Sequence, residues 1–207
     1  MLDARLHLID TTLPASPADE APRPSRQEAE AAVRTLIRWA GDSPGREGLL
    51  DTPARVVRAF EEWCGGYAID PEQLLTRDFD RAGYEDIVLL RDIPVHSMCE
   101  HLMAAIRGVA HVAYLPGDRV VGISKLARLV DAYSRRLQIQ ERLTHEIADT
   151  LQRVLQPRGV AVVVQAAHEC IASRGIGMAG VGMVTRRLLG AFEQEPWRSD
   201  ILGTLKA

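Results

Sequence analysis

Apolar residues recur at helical spacing from Ala29 through Val33, Leu36, Ile37 and Ala40. Ser25, followed three residues later by Glu28, is a capping-box signature, so a helix is predicted from about residue 26. Gly41 to Gly48 reads as a loop. Thr52-Pro53 then opens a second helix, with proline at its first position, where a missing N–H costs nothing. Val56, Val57, Phe60 and Trp63 supply its apolar face and Gly65-Gly66 ends it. Ile87 to Val95 reads as a strand. Arg107 to Leu115 reads as another, with Val109, His111 and Ala113 alternating against Ala110, Val112 and Tyr114. After the turn Pro116-Gly117-Asp118, Ser124 stands where a helix N-cap is expected, with Leu126, Leu129, Val130 and Tyr133 as the stripe of the helix. A longer helix is predicted from about Gln138 to Leu155, with Ile139, Leu143, Ile147, Leu151 and Val154 on one face and Pro157-Arg158-Gly159 as its stop. Val160 to Ala167 and Gly182 to Phe192 complete the series as strands.

The order is helix, helix, strand, strand, helix, helix, strand, strand. Runs rather than strict alternation point to an α+β fold with an antiparallel sheet. A lone four-stranded sheet with helices on one face leaves its other face and its edges open, so assembly through them is expected. Residues 1–25 are predicted to be a disordered tail, because the stretch from Pro14 to Ser25 is rich in proline and small polar residues and has no periodic apolar face. The expected organisation is that tail, a helical region over 26–84 and a main domain over 85–207.

The 207 residues carry a formal net charge of −3, which gives no bulk attraction for nucleic acid. No apolar run approaches the roughly 20 residues needed to cross a bilayer, and the first residues do not read as a secretory signal. With only three cysteines, Cys64, Cys99 and Cys170, the chain is not a disulfide scaffold. The expectation is a cytoplasmic protein with no nucleic-acid or membrane partner.

Two cysteines sit near histidines in distant segments, Cys99-Glu100-His101 and His168-Glu169-Cys170. Thiolates and imidazoles are the preferred ligands of zinc, and residues two apart on a strand share a face, so His168 and Cys170 together with Cys99 could converge on a metal. Buried structural thiols fit the same residues. Ser124, Lys125 and Arg128 lie at a predicted helix start, where free N–H groups and the dipole suit an anion, and Arg174 follows the second cysteine. A solvated basic face is the plainer account. Gln140 and Glu141 open the next helix. A carboxylate there could accept two N–H bonds from a guanine-like ring, or it could simply answer the helix dipole.

Taken together, these segments resemble one family. Arg91 to His101 (RDIPVHSMCEH), Gly122 to Arg128 (GISKLAR), Arg136 to Thr144 (RLQIQERLT) and His168-Glu169-Cys170 with Arg174-Gly175 match the motifs of GTP cyclohydrolase I in order and spacing, and Arg46 to Leu49 and Thr52 to Arg55 match upstream. The resemblance covers about residues 27 to 203. It implies the tunnelling fold, a four-stranded antiparallel sheet with two long helices on one face, in subunits that join into pentameric rings and stack as a homodecamer. It implies hydrolytic opening of the imidazole ring of GTP, with release of formate and formation of 7,8-dihydroneopterin triphosphate on the route to pteridines and tetrahydrofolate. By the same resemblance Cys99 and Cys170 are zinc ligands, His101 and His168 handle protons, Gln140 and Glu141 read guanine, and Ser124, Lys125, Arg128 and Arg174 hold the triphosphate.

The chain departs from the family at the metal end. The family motif is Cys-Glu-His-His, and here Leu102 stands where the third zinc-ligand histidine belongs. Ala105-Ile106, Ile171 and Val181-Gly182-Met183 depart as well. The expected zinc site is therefore weak or altered, with His168 a possible substitute ligand. Another reaction on a guanine nucleotide or pterin-like ligand, or a non-catalytic GTP-binding role, stays open beside the cyclohydrolase reading.

Overall fold

The computed structural model describes residues 23–206, so nearly all of the expected tail lies outside the described residues. The chain divides into two compact units, one ending at Val57 and the other beginning at Arg58.

In the first unit, helix α1 (Arg26–Trp39) starts at the expected capping box. The Glu28 amide donates to Ser25 Oγ at 3.3 Å, and Glu28 Oε2 accepts from the Ser25 amide at 2.7 Å. None of its residues is buried, and Leu36 and Trp39 are exposed. Helix α2 (Thr52–Trp63) begins at the predicted threonine and runs across the division between the units.

The second unit holds a five-stranded sheet. Its strands are β2 (Val88–Cys99), β3 (Ala105–Leu115), β5 (Leu137–Gln138), β6 (Gly159–His168) and β7 (Gly182–Gly190), in the order β5-β2-β3-β6-β7. The four long strands are antiparallel, and β5 adds two residues parallel to the end of β2. Strands β1 (Asp78–Asp80) and β4 (Arg119–Val121) form a separate small ribbon. Helices α3 (Ile123–Ser134) and α4 (Gln140–Leu155) cover one face of the sheet, the arrangement that the resemblance implies. Val95, Ala110, Val112, Tyr114, Val160, Val162 and Val164 pack from that face against Leu126, Leu129, Val130, Leu143, Ile147 and Leu151.

The other face is less open than the sequence reading expected. A C-terminal helix, α6 (Trp197–Lys206), lays Ile201 and Leu205 over Ala113, Leu115, Ala161, Val163 and Leu188, together with Phe192. The spacing of Trp197, Ile201 and Leu205, four residues apart, is the helical signal that this reading overlooked. Because β6 is covered on both sides, it reads as an unbroken apolar run rather than an alternating one.

Two local expectations change. Helix α3 is capped at Gly122, and Ser124 lies inside its first turn; the Ser124 hydroxyl is not the cap. Strand β6 stops at His168, and Glu169–Ala172 forms a short helix, α5, so Cys170 does not share a strand face with His168.

Candidate active site

Strand β2 carries Cys99 to the bottom of the sheet, where the chain turns. The Cys99 amide donates to the Ala104 carbonyl at 2.8 Å and the Met103 amide to the Cys99 carbonyl at 2.7 Å, which closes a tight loop through Glu100, His101 and Leu102. Arg142, on the first turn of α4, reaches this loop through an ion pair with Glu100 and also holds Gln138 Oε1 at 3.0 Å. The short pairing of β5 with β2 sets Gln138 opposite Cys99. The loop after β2 is thereby tied to the start of α4, which is why two motifs about forty residues apart in the chain meet.

Cys99 is buried and packs with Ile106, Ala166 and Cys170. The two thiols are close enough to interact: burial pushes the Cys170 thiol up, the Cys99 sulfur beside it adds to the effect, and the Arg174 guanidinium works in the opposite direction. His101 Nδ1 lies 3.7 Å from Cys99 Sγ, and the imidazole is exposed. Leu102 is 48% exposed, so the leucine at this position is not an element of the core.

His168 sits at the end of β6, half-buried. Its Nε2 lies 2.8 Å from Gln140 Oε1. Burial lowers the pKa of the ring from its ordinary value and the Glu141 carboxylate offsets part of that, so the ring is neutral at neutral pH. Glu141 is exposed on the first turn of α4, whereas the neighbouring Gln140 is almost fully buried and its amide is used within the protein. Gln140 Nε2 faces Val164 O at 3.0 Å and both Met183 O and Thr185 Oγ1 at 3.1 Å. Thr144 and Thr185, which the sequence did not single out, complete this network with a 2.6 Å contact between their hydroxyls.

The structure thus gathers Cys99, His101, Cys170 and Arg174 at one point and Gln140, Glu141 and His168 at another, at the same end of the sheet. Lys125 and Arg128 stay on the surface of α3, and with Ser124 their side chains make no hydrogen bond or ion pair among the described residues. An open cavity of about 540 Å³, lined by Glu62, His96, Met98, Met103, Arg107 and Arg135, touches the Cys99 loop; Ala105 and Ile106, where the chain departs from the family motif, also line it, but none of the candidate catalytic, substrate-binding or metal residues does.

The two thiols are adjacent and chemically suited to zinc. However, no group of three or more His, Cys, Asp or Glu is placed to hold a metal among the described residues, whereas catalytic zinc sites take three protein ligands. Leu102 offers no donor atom, and His168, whose Nε2 faces Gln140, is not grouped with the two cysteines among the described residues. The residues present do not fit a closed three-ligand site.

Residues 29–205 match the family described as GTP cyclohydrolase I. This chain belongs to the GTP cyclohydrolase I family. GTP cyclohydrolase 1 of Maricaulis maris (strain MCS10) is 56% identical over 174 residues, which span 84% of this chain and 85% of that one. GTP cyclohydrolase 1 of Allorhizobium ampelinum is 56% identical over 177 residues, 85% of this chain and 88% of that one. The Brucella canis protein of the same name is 52% identical over 190 residues, 90% and 89% of the two chains. Among solved structures, the apo form of the archaeosine synthase QueF-Like aligns with 52% of this chain and 97% of its own, at 21% identity and a TM-score of 0.43.

Proposed function

We propose that this protein hydrolyses GTP at C8 of the guanine ring, releases formate and yields 7,8-dihydroneopterin triphosphate. The observation that carries the reading is family membership across residues 29–205, joined to relatives named GTP cyclohydrolase 1 that are more than half identical over most of the chain.

The exposed Glu141 carboxylate accepts the N1–H and exocyclic N–H bonds of guanine, a charge-assisted two-point contact that rejects adenine. Arg174, Lys125, Arg128 and the Ser124 hydroxyl hold the triphosphate. On α3 the side chains of the last three lack partners among the described residues, as they would if their counterpart were a ligand or another subunit. His101 and His168 exchange protons with the base and the ribose. Because the donor set falls short of a closed zinc site, we assign no step to a metal. Zinc, where it binds, is held by Cys99 and Cys170 in an open and weak site. The working form is a homo-oligomer, by resemblance a decamer, that acts in the cytoplasm on a free nucleotide.

A second reading rests on Leu102: the same scaffold, with its nucleotide-holding residues kept, runs a different reaction on a guanine nucleotide or a pterin-like ligand. One assay separates the two. Protein is incubated with GTP and zinc, and formate and, after oxidation, a fluorescent pterin are measured. Both products together support the cyclohydrolase. A different product supports the second reading, and GTP binding without turnover would mean a non-catalytic role.

A further inference from the structure

The Gln140 side chain is buried, yet every polar atom of its amide has a partner, and the partners leave it a single orientation. The chain of donors can be followed from its far end. The Thr144 hydroxyl donates its one proton to the main-chain carbonyl of Gln140 at 2.8 Å. The 2.6 Å contact between Thr144 and Thr185 is therefore made by the Thr185 proton, and Thr185 Oγ1 can only accept from Gln140. Val164 O and Met183 O are also pure acceptors. Three acceptors surround one end of the amide, so that end must be the NH₂. Reversing the amide would set its oxygen against two carbonyls and a spent hydroxyl. Oε1 is thereby directed at His168 Nε2, 2.8 Å away, and an oxygen lone pair at that distance requires an N–H opposite it.

We infer that Gln140 is a positioning residue for His168: through the Thr144–Thr185 network it fixes the neutral imidazole as the Nε2–H tautomer and leaves Nδ1 as the only nitrogen able to accept a proton or a hydrogen bond. This assigns Gln140 a role other than reading the base, since both of its N–H groups are used inside the protein. Guanine recognition then rests on Glu141 alone of the pair. The inference deepens the proposed function, because it rests on His168 being one of the proton-handling groups.

The test reads the ring directly. Solid-state 15N spectra of protein labelled at histidine nitrogens are recorded at about pH 8, well above the ordinary imidazole pKa. A His168→Asn sample identifies the His168 signals. The expected result is a protonated Nε2 and a bare Nδ1. In Gln140→Met, which keeps the shape and removes donor and acceptor together, the two tautomers are expected to mix; kcat falls about tenfold or more, because the ring is no longer held, while the Kd for GTP changes little. A wild-type ring protonated at Nδ1 overturns the inference. So does an unchanged tautomer in Gln140→Met, or a variant that loses GTP affinity and keeps kcat, the signature of a base reader. If Gln140→Met does not fold, the wild-type spectrum alone still decides the tautomer. Absence of GTP turnover by the wild type would count against the proposed function and would leave the spectroscopic result standing.

Discussion

At Leu102 the chain puts a half-exposed isobutyl group in the loop that also holds Cys99 and His101, where the resemblance calls for an imidazole. An open two-thiolate site should exchange its metal readily, so the purified protein is expected to retain substoichiometric zinc after dialysis against a chelator, measured by plasma mass spectrometry. Leu102→His is expected to raise both retained zinc and formate release; no gain in either would show that another position limits the site. Glu141→Ala removes the carboxylate proposed to hold guanine and is expected to weaken GTP binding at least about tenfold, or about 1.4 kcal/mol, by titration calorimetry. An unchanged affinity would take the base-reading role from Glu141. Residue type and motif order singled out the thiols, His101, His168 and Glu141, and the structure brings them to one end of the sheet. The fate of Gln140 was not legible there. A glutamine beside a glutamate in a helix's first turn reads as solvated, and only the carbonyls of β6 and β7 that come to meet it show otherwise.

The elements were legible wherever periodicity was unambiguous. The capping box, the start of α2, the alternation of β3 and the stripes of α3 and α4 all lie where the pattern places them, with ends shifted by a few residues. The misses have physical causes. The β5 pairing is two residues long and too short to carry a pattern. Helix α5 interrupts what looks like strand, and its four residues are too few to carry a helical period. Gly108 shows how tightly the sheet is fitted at this end: a Cβ there would lie 1.9 Å from the Gln165 carbonyl oxygen and 2.5 Å from Ala166 Cα. Both are backbone atoms of the neighbouring strand and cannot step aside. Gly108→Ala is therefore expected to destabilise the protein by at least about 1–3 kcal/mol, read as a fall in the urea midpoint. A midpoint within error of the wild type would mean that β3 and β6 separate more easily than their pairing implies.

For the whole molecule, α+β architecture and a sheet with an exposed edge followed from the order of elements, while the C-terminal cover did not. Past the reach of α6, the outer face keeps Val184 exposed on edge strand β7, and Ile176, Met178 and Val181 are exposed in the loop before it. A sheet edge flanked by so many apolar side chains is a surface suited to another copy of the chain. Light scattering behind size exclusion is expected to give about ten times the 22.8 kDa chain mass, and Val184→Glu to shift the population to smaller species. A monomeric wild type would contradict the assembly. Finally, β6, covered on both faces along Val160 to Val164, leads directly to His168 and Cys170. The proposed reactive groups thus hang from the part of the protein that should be the last to come apart. On warming, catalysis and the bulk of the secondary structure should vanish together, with no inert yet intact species accumulating between them.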